Sequence, residues 1–482
     1  FIFVGNKSLI IPLIIVALPG FCLNFITPST SPSVCSKLQI ALTVSSASEI
    51  LVISSIVTLM ALECISSARS KTWLEVYKPS LFVTIILAFY ALFGPLRAIF
   101  SSGESPNFVD TSGTFYRYFE HRDVLIYGWT ASLIFYLSFL LGFYLIRTRF
   151  RRPARSFNVD LTSARSWGVI LCITALAAHL YIKIITLNIN LIPHGLIPGP
   201  MLRGFDNYFR LIGDLFIPGV ILQFCVWLRK RNQTLSMASW FVISILIYLN
   251  QGYRYKLLLL LAPAFLLWLF YLKRRPKLVV ATIVMVLFII LSGIISVWRI
   301  SSRGGPTQLE DLSPVEIFLS SFEEAGTFFT SSLVLSVVPS KYPYIGTEPL
   351  VTTILHPIPR QILTDKPSGD YTYRIQDDIY TTKGSIPWKS HTAFLSFVEY
   401  YLIAGWPSLV LISFALGLLM RRIWSWFLLR QYNPVAQSIY LLNACYLYSV
   451  ISRGYLPQVV MGYCAIILPL YLIYRRLVSR HI

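Results

Sequence analysis

The chain has 482 residues, 55% of them hydrophobic and only 13% charged, with a mean hydropathy of +0.65. That balance leaves too little polar surface to cover a soluble protein of this size, so the matching solvent is a membrane. The formal net charge of +20 would point a soluble chain toward nucleic acid; in a membrane protein basic residues collect in inner loops, and no nucleic-acid partner is expected.

Apolar runs of spanning length, about 17 to 25 residues for a hydrocarbon core of roughly 30 Å, recur along nearly the whole chain. They lie near residues 9–26, 38–66, 80–100, 124–146, 166–187, 211–228, 235–250, 256–272, 278–297, 393–420, 434–452 and 456–474. The pattern predicts an all-α polytopic membrane protein of twelve helices. Its first run, Leu9 to Ile26, reads as a spanning helix rather than a cleaved leader. Alternate links hold Arg69, Lys71 and Lys78, then Arg147 to Arg165, then Arg229 to Arg231, Lys273 to Lys277, Arg421 to Arg430, and Arg475 to Arg480. Basic clusters on every second link place those links inside and both termini in the cytoplasm. Three segments follow: an N-terminal bundle of nine helices (1–297), an extracytoplasmic loop (298–392) and C-terminal helices (393–482).

Within the loop, Val315 to Val338 is apolar but interrupted by Glu316, Glu323 and Glu324. A full span would bury those carboxylates in lipid, so a re-entrant or interfacial helix is expected. From Tyr342 to Lys366 the chain is rich in proline and is expected to be extended or turned. The seven cysteines form no CxxC pattern or disulfide framework, the histidines show no ligand spacing, and neither a metal nor a cofactor is expected.

The outer links carry more Lys and Arg than the inside bias allows. Arg254 lies in a short link (NQGYRYK), Arg299 and Arg303 follow a helix (WRISSRGG), and Arg453 lies in another short link (SRGYLPQ). Arginine pairs bidentately with phosphate, so a lipid diphosphate at the outer face fits this set; snorkelling to lipid phosphates is the competing reading. The stretch HPIPRQILTDKP (356–367), followed by YTYRIQDDIY (371–380), adds Arg360, Lys366 and Arg374 as diphosphate contacts. Tyr253, Tyr373, Trp388 and Tyr400 offer flat faces for sugar rings. An ordinary structured loop would explain the same residues. Glu399, His391, Asp377 and Asp378 are candidates for the base, with Glu399 about two turns into a helix. Ion pairing to an arginine competes for Glu399, and the choice among the four stays open.

The run HPIPRQILTDKP, then GSIPWKSHTAFLSFVEYYLIAGWPSLVLISFALGLLMRR, resembles the late part of bacterial Wzy-type oligosaccharide repeat-unit polymerases. Arg360, Lys366, Pro367, Glu399, Tyr401, Gly405, Arg453 and Gly454 occupy the positions of that pattern. The chain departs from it at Ala404, where an aromatic is usual, and at Tyr455, where a small or acidic residue is usual. The resemblance implies a metal-independent glycosyltransferase of the GT-C type, multi-pass in the bacterial plasma membrane, with its active site on the extracytoplasmic face. It implies undecaprenyl-diphosphate-linked oligosaccharides as donor and acceptor, surrounding membrane lipids, and a chain-length regulator and a flippase as partner proteins. An O-antigen ligase shares the topology and the basic outer loop. A lipid-linked oligosaccharide flippase or other transporter would instead distribute its charges through a central cavity.

Overall fold

In the computed structural model of the protein the described residues are 47–70, 72–95, 124–145, 159–185, 206–273, 290, 293–295, 325–359, 362–364, 366–367, 369, 371–372, 374–375 and 394–479. Among them every regular element is helical. The first is α1 (Ala47–Arg69), followed by a 3-10 turn (Trp73–Tyr77) and α2 (Pro79–Ala88), which continues into a wide π turn at Phe89–Phe93. Then come α3 (Leu125–Leu145), α4 (Leu161–Ile185), α5 (Asp206–Gly213), α6 (Phe216–Lys230), α7 (Thr234–Gln251) and α8 (Arg254–Tyr271). Two short helices follow, α9 (Thr327–Val337) and α10 (Glu348–Leu355). The last are α11 (Ser396–Ala404), α12 (Trp406–Leu429), α13 (Pro434–Ser452), α14 (Leu456–Ile466) and α15 (Leu468–Ser479).

Nine stretches among the described residues are long and apolar enough to cross a membrane: Ser48–Arg69, Leu125–Leu145, Leu161–Ile184, Tyr208–Lys230, Thr234–Gln251, Arg254–Tyr271, Trp406–Leu429, Pro434–Ser452 and Leu456–Val478. Each matches a predicted span. Of the predicted span at 80–100 the described part holds an apolar helix, Pro79–Leu92, while 96–100, the span at 9–26 and most of 278–297 lie outside the described residues. Leu51, Leu141, Ile184, Leu246, Leu411 and Leu472 point outward. Apolar exposure spread along helix after helix is what a lipid-facing surface requires. This is a membrane-embedded α-helical protein.

Two expectations about local structure are corrected. The run 393–420 is not one helix: Gly405 has φ +77° and ψ −149°, a conformation that L side chains rarely adopt, and it ends α11 so that the span begins at Trp406. Glu399 therefore sits on the first turn of α11 rather than two turns into a span. The proline-rich stretch, expected to be extended or turned, also holds a helix, α10, because Pro349 in its first turn is compatible with one. Of the interrupted apolar run, the described part is α9, about 16 Å long and too short to span. Its Phe328, Phe329, Leu333 and Val334 are buried, and it packs on α3 and α11. Glu316, Glu323 and Glu324 lie outside the described residues.

The centre of the bundle is α13, buried along nearly its whole length between α2, α6, α8 and α12. Asn433 starts it, its Oδ1 accepting from the backbone N–H of Val435 at 3.0 Å and Ala436 at 3.1 Å. At that end Arg229 donates to Gln437 Oε1 and Arg430 to the Tyr474 hydroxyl. Nearby, Glu63 accepts from Ser80 and Tyr144, while Lys78 pairs with Glu63 and Glu75, tying α1, α2 and α3 together. The other end of α13, about 28 Å away by helical rise, carries Arg453 and the site described below.

Helices α3 and α12 cross at two glycines. A Cβ on Gly142 would lie 2.2 Å from the Phe414 carbonyl oxygen, and one on Gly417 would lie 2.2 Å from that of Phe139. Backbone contact of this kind is how membrane helices gain packing energy without a hydrophobic driving force between them. Gly417→Val should lower the thermal midpoint in detergent, with overpacking costing about 2 kcal/mol. Gly213→Ala, whose Cβ meets nothing within 4 Å, should leave the midpoint unchanged.

Candidate functional site

The site forms where the start of α11, the link between α13 and α14, and the first turn of α8 meet. Two backbone-directed contacts pin the start of α11. Leu395 N–H donates to Ser331 Oγ of α9 at 2.9 Å, and Gly454 N–H donates to the Phe394 carbonyl at 2.7 Å. A Cβ on Gly454 would lie 2.5 Å from the Phe394 ring, so only glycine lets the Arg453 link close onto α11. The far end of α11 is held by Tyr401 OH donating to the Val338 carbonyl and by Ile345 N–H donating to that of Leu402.

These contacts bury Glu399, which is 1% exposed. Its Oε1 accepts from the Tyr371 hydroxyl and from the Leu456 N–H, the latter at 2.9 Å. Leu456 is the first residue of α14, where a backbone N–H has no partner within its own helix. Glu399 Oε2 is buried and has no hydrogen-bond partner among the described residues. Burial pushes the carboxyl up to about 7, against the two donors on Oε1, which favour the charged form. Around it, the Tyr371 ring meets Tyr455 at 5.7 Å, and Tyr455 meets His356 edge-on at 6.4 Å. Burial, with the nearby Lys366, holds His356 below the ordinary imidazole range.

Three residues before Leu456, the link reaches the basic part of the site. The Arg453 guanidinium lies 5.2 Å from the Tyr255 ring. Tyr255 stands between Arg254 and Lys256 on the first turn of α8, and both cations are buried, at 7% and 5% exposure. Lys256 Nζ pairs with Asp214 at 2.6 Å and lies 4.8 Å from the Tyr253 ring. Lys183 of α4 donates to Asn250 at 2.7 Å close by along the chain. Burial of Arg254 among helices argues against snorkelling, which would carry its guanidinium out to the lipid surface. Among the described residues the basic side chains at this end include Arg254, Lys256 and Arg453, and the acidic ones include Asp214 and Glu399.

Of the sequence-predicted residues, Glu399, Arg453, Arg254 and Tyr253 are brought together along this path. Lys366 lies beside it in a different role. Its Nζ donates to the His356 and Ile358 carbonyls at 2.8 and 2.9 Å, clasping the proline-rich loop rather than displaying its charge. Arg374 is more than half exposed and pairs with Glu348 at 2.6 Å, turned toward that carboxylate. Tyr400 is 5% exposed and stacks on Phe135, so its ring packs in the core. Among the described residues the partners of Glu399 are a phenol and a backbone amide, with no arginine beside them. Arg299, Arg303, Arg360, Tyr373, Asp377, Asp378, Trp388 and His391 lie outside the described residues.

Sequence reasoning missed Tyr371, Tyr455, Lys256 and Asp214 as site residues. Asp214 carried a usable signal, an acid inside an apolar run. Tyr371 carried none, because nothing in its local pattern tells a hydrogen-bonding tyrosine from a sugar-stacking one. Among the described residues no group of three or more His, Cys, Asp or Glu side chains is arranged to hold a metal ion.

Fold and site together define a polytopic α-helical membrane protein with a buried carboxylate and buried cations joined at one end of its bundle. The chain matches no known protein family, no curated protein and no solved structure.

The Lys256–Asp214 pair yields a stability test. Lys256→Ala leaves a buried carboxylate without its cation and should cost about 3 to 5 kcal/mol, read as a lower thermal midpoint in detergent. The double variant Lys256→Met, Asp214→Leu removes both charges and should recover most of that loss.

Proposed function

We propose that the chain is an oligosaccharide repeat-unit polymerase of the Wzy type, a GT-C glycosyltransferase with twelve spans in the bacterial plasma membrane. In this reading both termini are cytoplasmic and the site faces the extracytoplasmic side. The enzyme moves a growing glycan from its undecaprenyl diphosphate to the acceptor sugar of a new lipid-linked unit. A chain-length regulator and a flippase are its partners. The observation that carries the reading is the meeting of Glu399 with the Arg453–Leu456 link, which joins that carboxylate to Arg254 and Lys256. Support also comes from the resemblance pattern: of its positions, Glu399, Arg453 and Gly454 meet where the Leu456 N–H reaches Glu399 and the Gly454 N–H reaches the Phe394 carbonyl.

The chemistry follows from the groups present. An acceptor hydroxyl oxygen forms a bond to the donor sugar's anomeric carbon, the bond from that carbon to the diphosphate oxygen breaks, and the diphosphate leaves with the electron pair. Fixed cations stabilise the charge that builds on the leaving oxygens, and buried ones do so without reorganising. Arg254 and Arg453 take that role, with Arg299, Arg303 and Arg360 completing the clamp. The acceptor proton passes to Glu399 Oε2, the oxygen that is not already accepting a hydrogen bond. A carboxyl poised near 7 holds and releases a proton readily at neutral pH.

The test is elongation by purified protein supplied with lipid-linked repeat units. A ladder of lengthened lipid-linked glycan is expected. Transbilayer movement without elongation would identify a transporter, and transfer only to a lipid A core would identify a ligase. Arg254→Ala should reduce elongation by about 100-fold with normal protein level, and Arg254→Lys should rescue it poorly, since an ammonium lacks the bidentate fork. Wild-type elongation by both Arg254→Ala and Arg453→Ala would remove the diphosphate clamp. The wild-type rate should rise with pH through about 7 as Glu399 deprotonates, and Glu399→Gln should lose about 100-fold. An unaffected Glu399→Gln variant would shift the base to His391, Asp377 or Asp378.

A further inference from the structure

We infer that Tyr371 is a positioning residue for Glu399: together with the Leu456 N–H it fixes Oε1, so that Oε2 alone is presented as the proton-accepting oxygen. The inference rests on the reading of Glu399 as the base. It starts from an asymmetry. Oε1 takes both hydrogen bonds, from a hydroxyl and a helix-start amide on separate segments, while Oε2 is buried without a partner among the described residues. A carboxylate free to rotate would place either oxygen at the reacting hydroxyl; one anchored through Oε1 has a single orientation, which is the preorganisation that proton transfer needs.

Tyr371 is itself fixed. It is fully buried, and its ring lies against Tyr455, which in turn lies against His356. Gly369, with φ +71°, turns the chain beside Tyr455, and a Cβ there would lie 2.9 Å from the Tyr455 hydroxyl. Lys366 closes the loop that carries Tyr371 back onto the His356 and Ile358 carbonyls. A tyrosine at 455, where the resembled pattern has a small or acidic residue, thus acts as a wedge behind Tyr371.

Among the described residues, charged and titratable groups surround the carboxyl on several sides. Tyr371, with Tyr455 and Glu348 beside it, faces it from the loop and the link, and Tyr400 neighbours it on α11. His356 and Lys366 stand behind Tyr455. Helix α9, packed on α11, has no titratable side chain.

A donor to the charged form of a carboxyl lowers its pKa, so removing one raises it. The experiment is an infrared pH titration of the carboxyl stretch in the full-length purified protein, with Glu399→Gln identifying the band, run beside the pH–rate profile of elongation. Tyr371→Phe should move the Glu399 midpoint and the acid limb of the rate together, by about one to two pH units toward alkaline. Tyr371→3,5-difluorotyrosine, a stronger donor of nearly the same shape, should move both toward acid and serves if the phenylalanine variant fails to fold. If Glu399→Gln is inactive but neither Tyr371 variant shifts the midpoint, the positioning role is overturned and the base assignment stands. If Glu399→Gln elongates normally, the base assignment is overturned and the role of Tyr371 falls with it.

Discussion

A charge buried away from water persists when a partner is held beside it, and the described structure is organised around where those partners come from. At one end of the bundle Glu63 and Glu75 share Lys78, with Ser80 and Tyr144 taking up the remaining lone pairs. At the other end Lys256 is matched by Asp214, and Arg254 is buried beside it. Glu399 differs from both arrangements. It is as buried as any of them, yet its described partners are a neutral phenol and a backbone amide, and one of its oxygens accepts from neither. Such a group has a weak hold on its charge and can exchange a proton near neutral pH.

The site is made by interruptions in helices. Gly405 breaks the helix that would otherwise carry Glu399 into the middle of a span, and the close approach at Gly454 draws the Arg453 link down onto α11. Leu456 then offers a helix-start N–H to the carboxylate. Irregular backbone at the edge of a membrane bundle survives where its polar groups find partners in the protein. The contacts of Leu395, Ile345 and Gly454 supply those partners. Polar chemistry is thereby placed beside apolar helices with these backbone groups paired inside the protein.

Transfer of a glycan from a lipid diphosphate needs two things from a protein: positive charge for the departing diphosphate and an acceptor for one proton. Buried Arg254 and Lys256, reached through the Arg453 link from a carboxylate of raised pKa, would meet both requirements, with the donors fixed in place before reaction. The clasp of Lys366 and the pairing of Arg374 with Glu348 also show that a basic residue in a motif can serve the loop that carries the site rather than the substrate.

Spanning segments were legible in the sequence because bilayer thickness and helical rise are fixed lengths, so the extent of an apolar run reports a span directly. Glu399, Arg254 and Arg453 were legible too, since charged residues at the ends of apolar runs are too costly there to go unnoticed. The break at Gly405 was not, because a glycine within an apolar run is tolerated in many helices and only the packing of Tyr344 and Ser408 around it makes the turn. Tyr400 looked like an aromatic face and proved to be core, since burial depends on what packs opposite. By itself the sequence determined that this is a membrane protein of many helices and which residue types its ends carry. Only the tertiary structure decided that Asp214 faces Lys256 and that Tyr371 and Leu456 both donate to one oxygen of Glu399, because those partners come from distant parts of the chain and meet only when the helices pack.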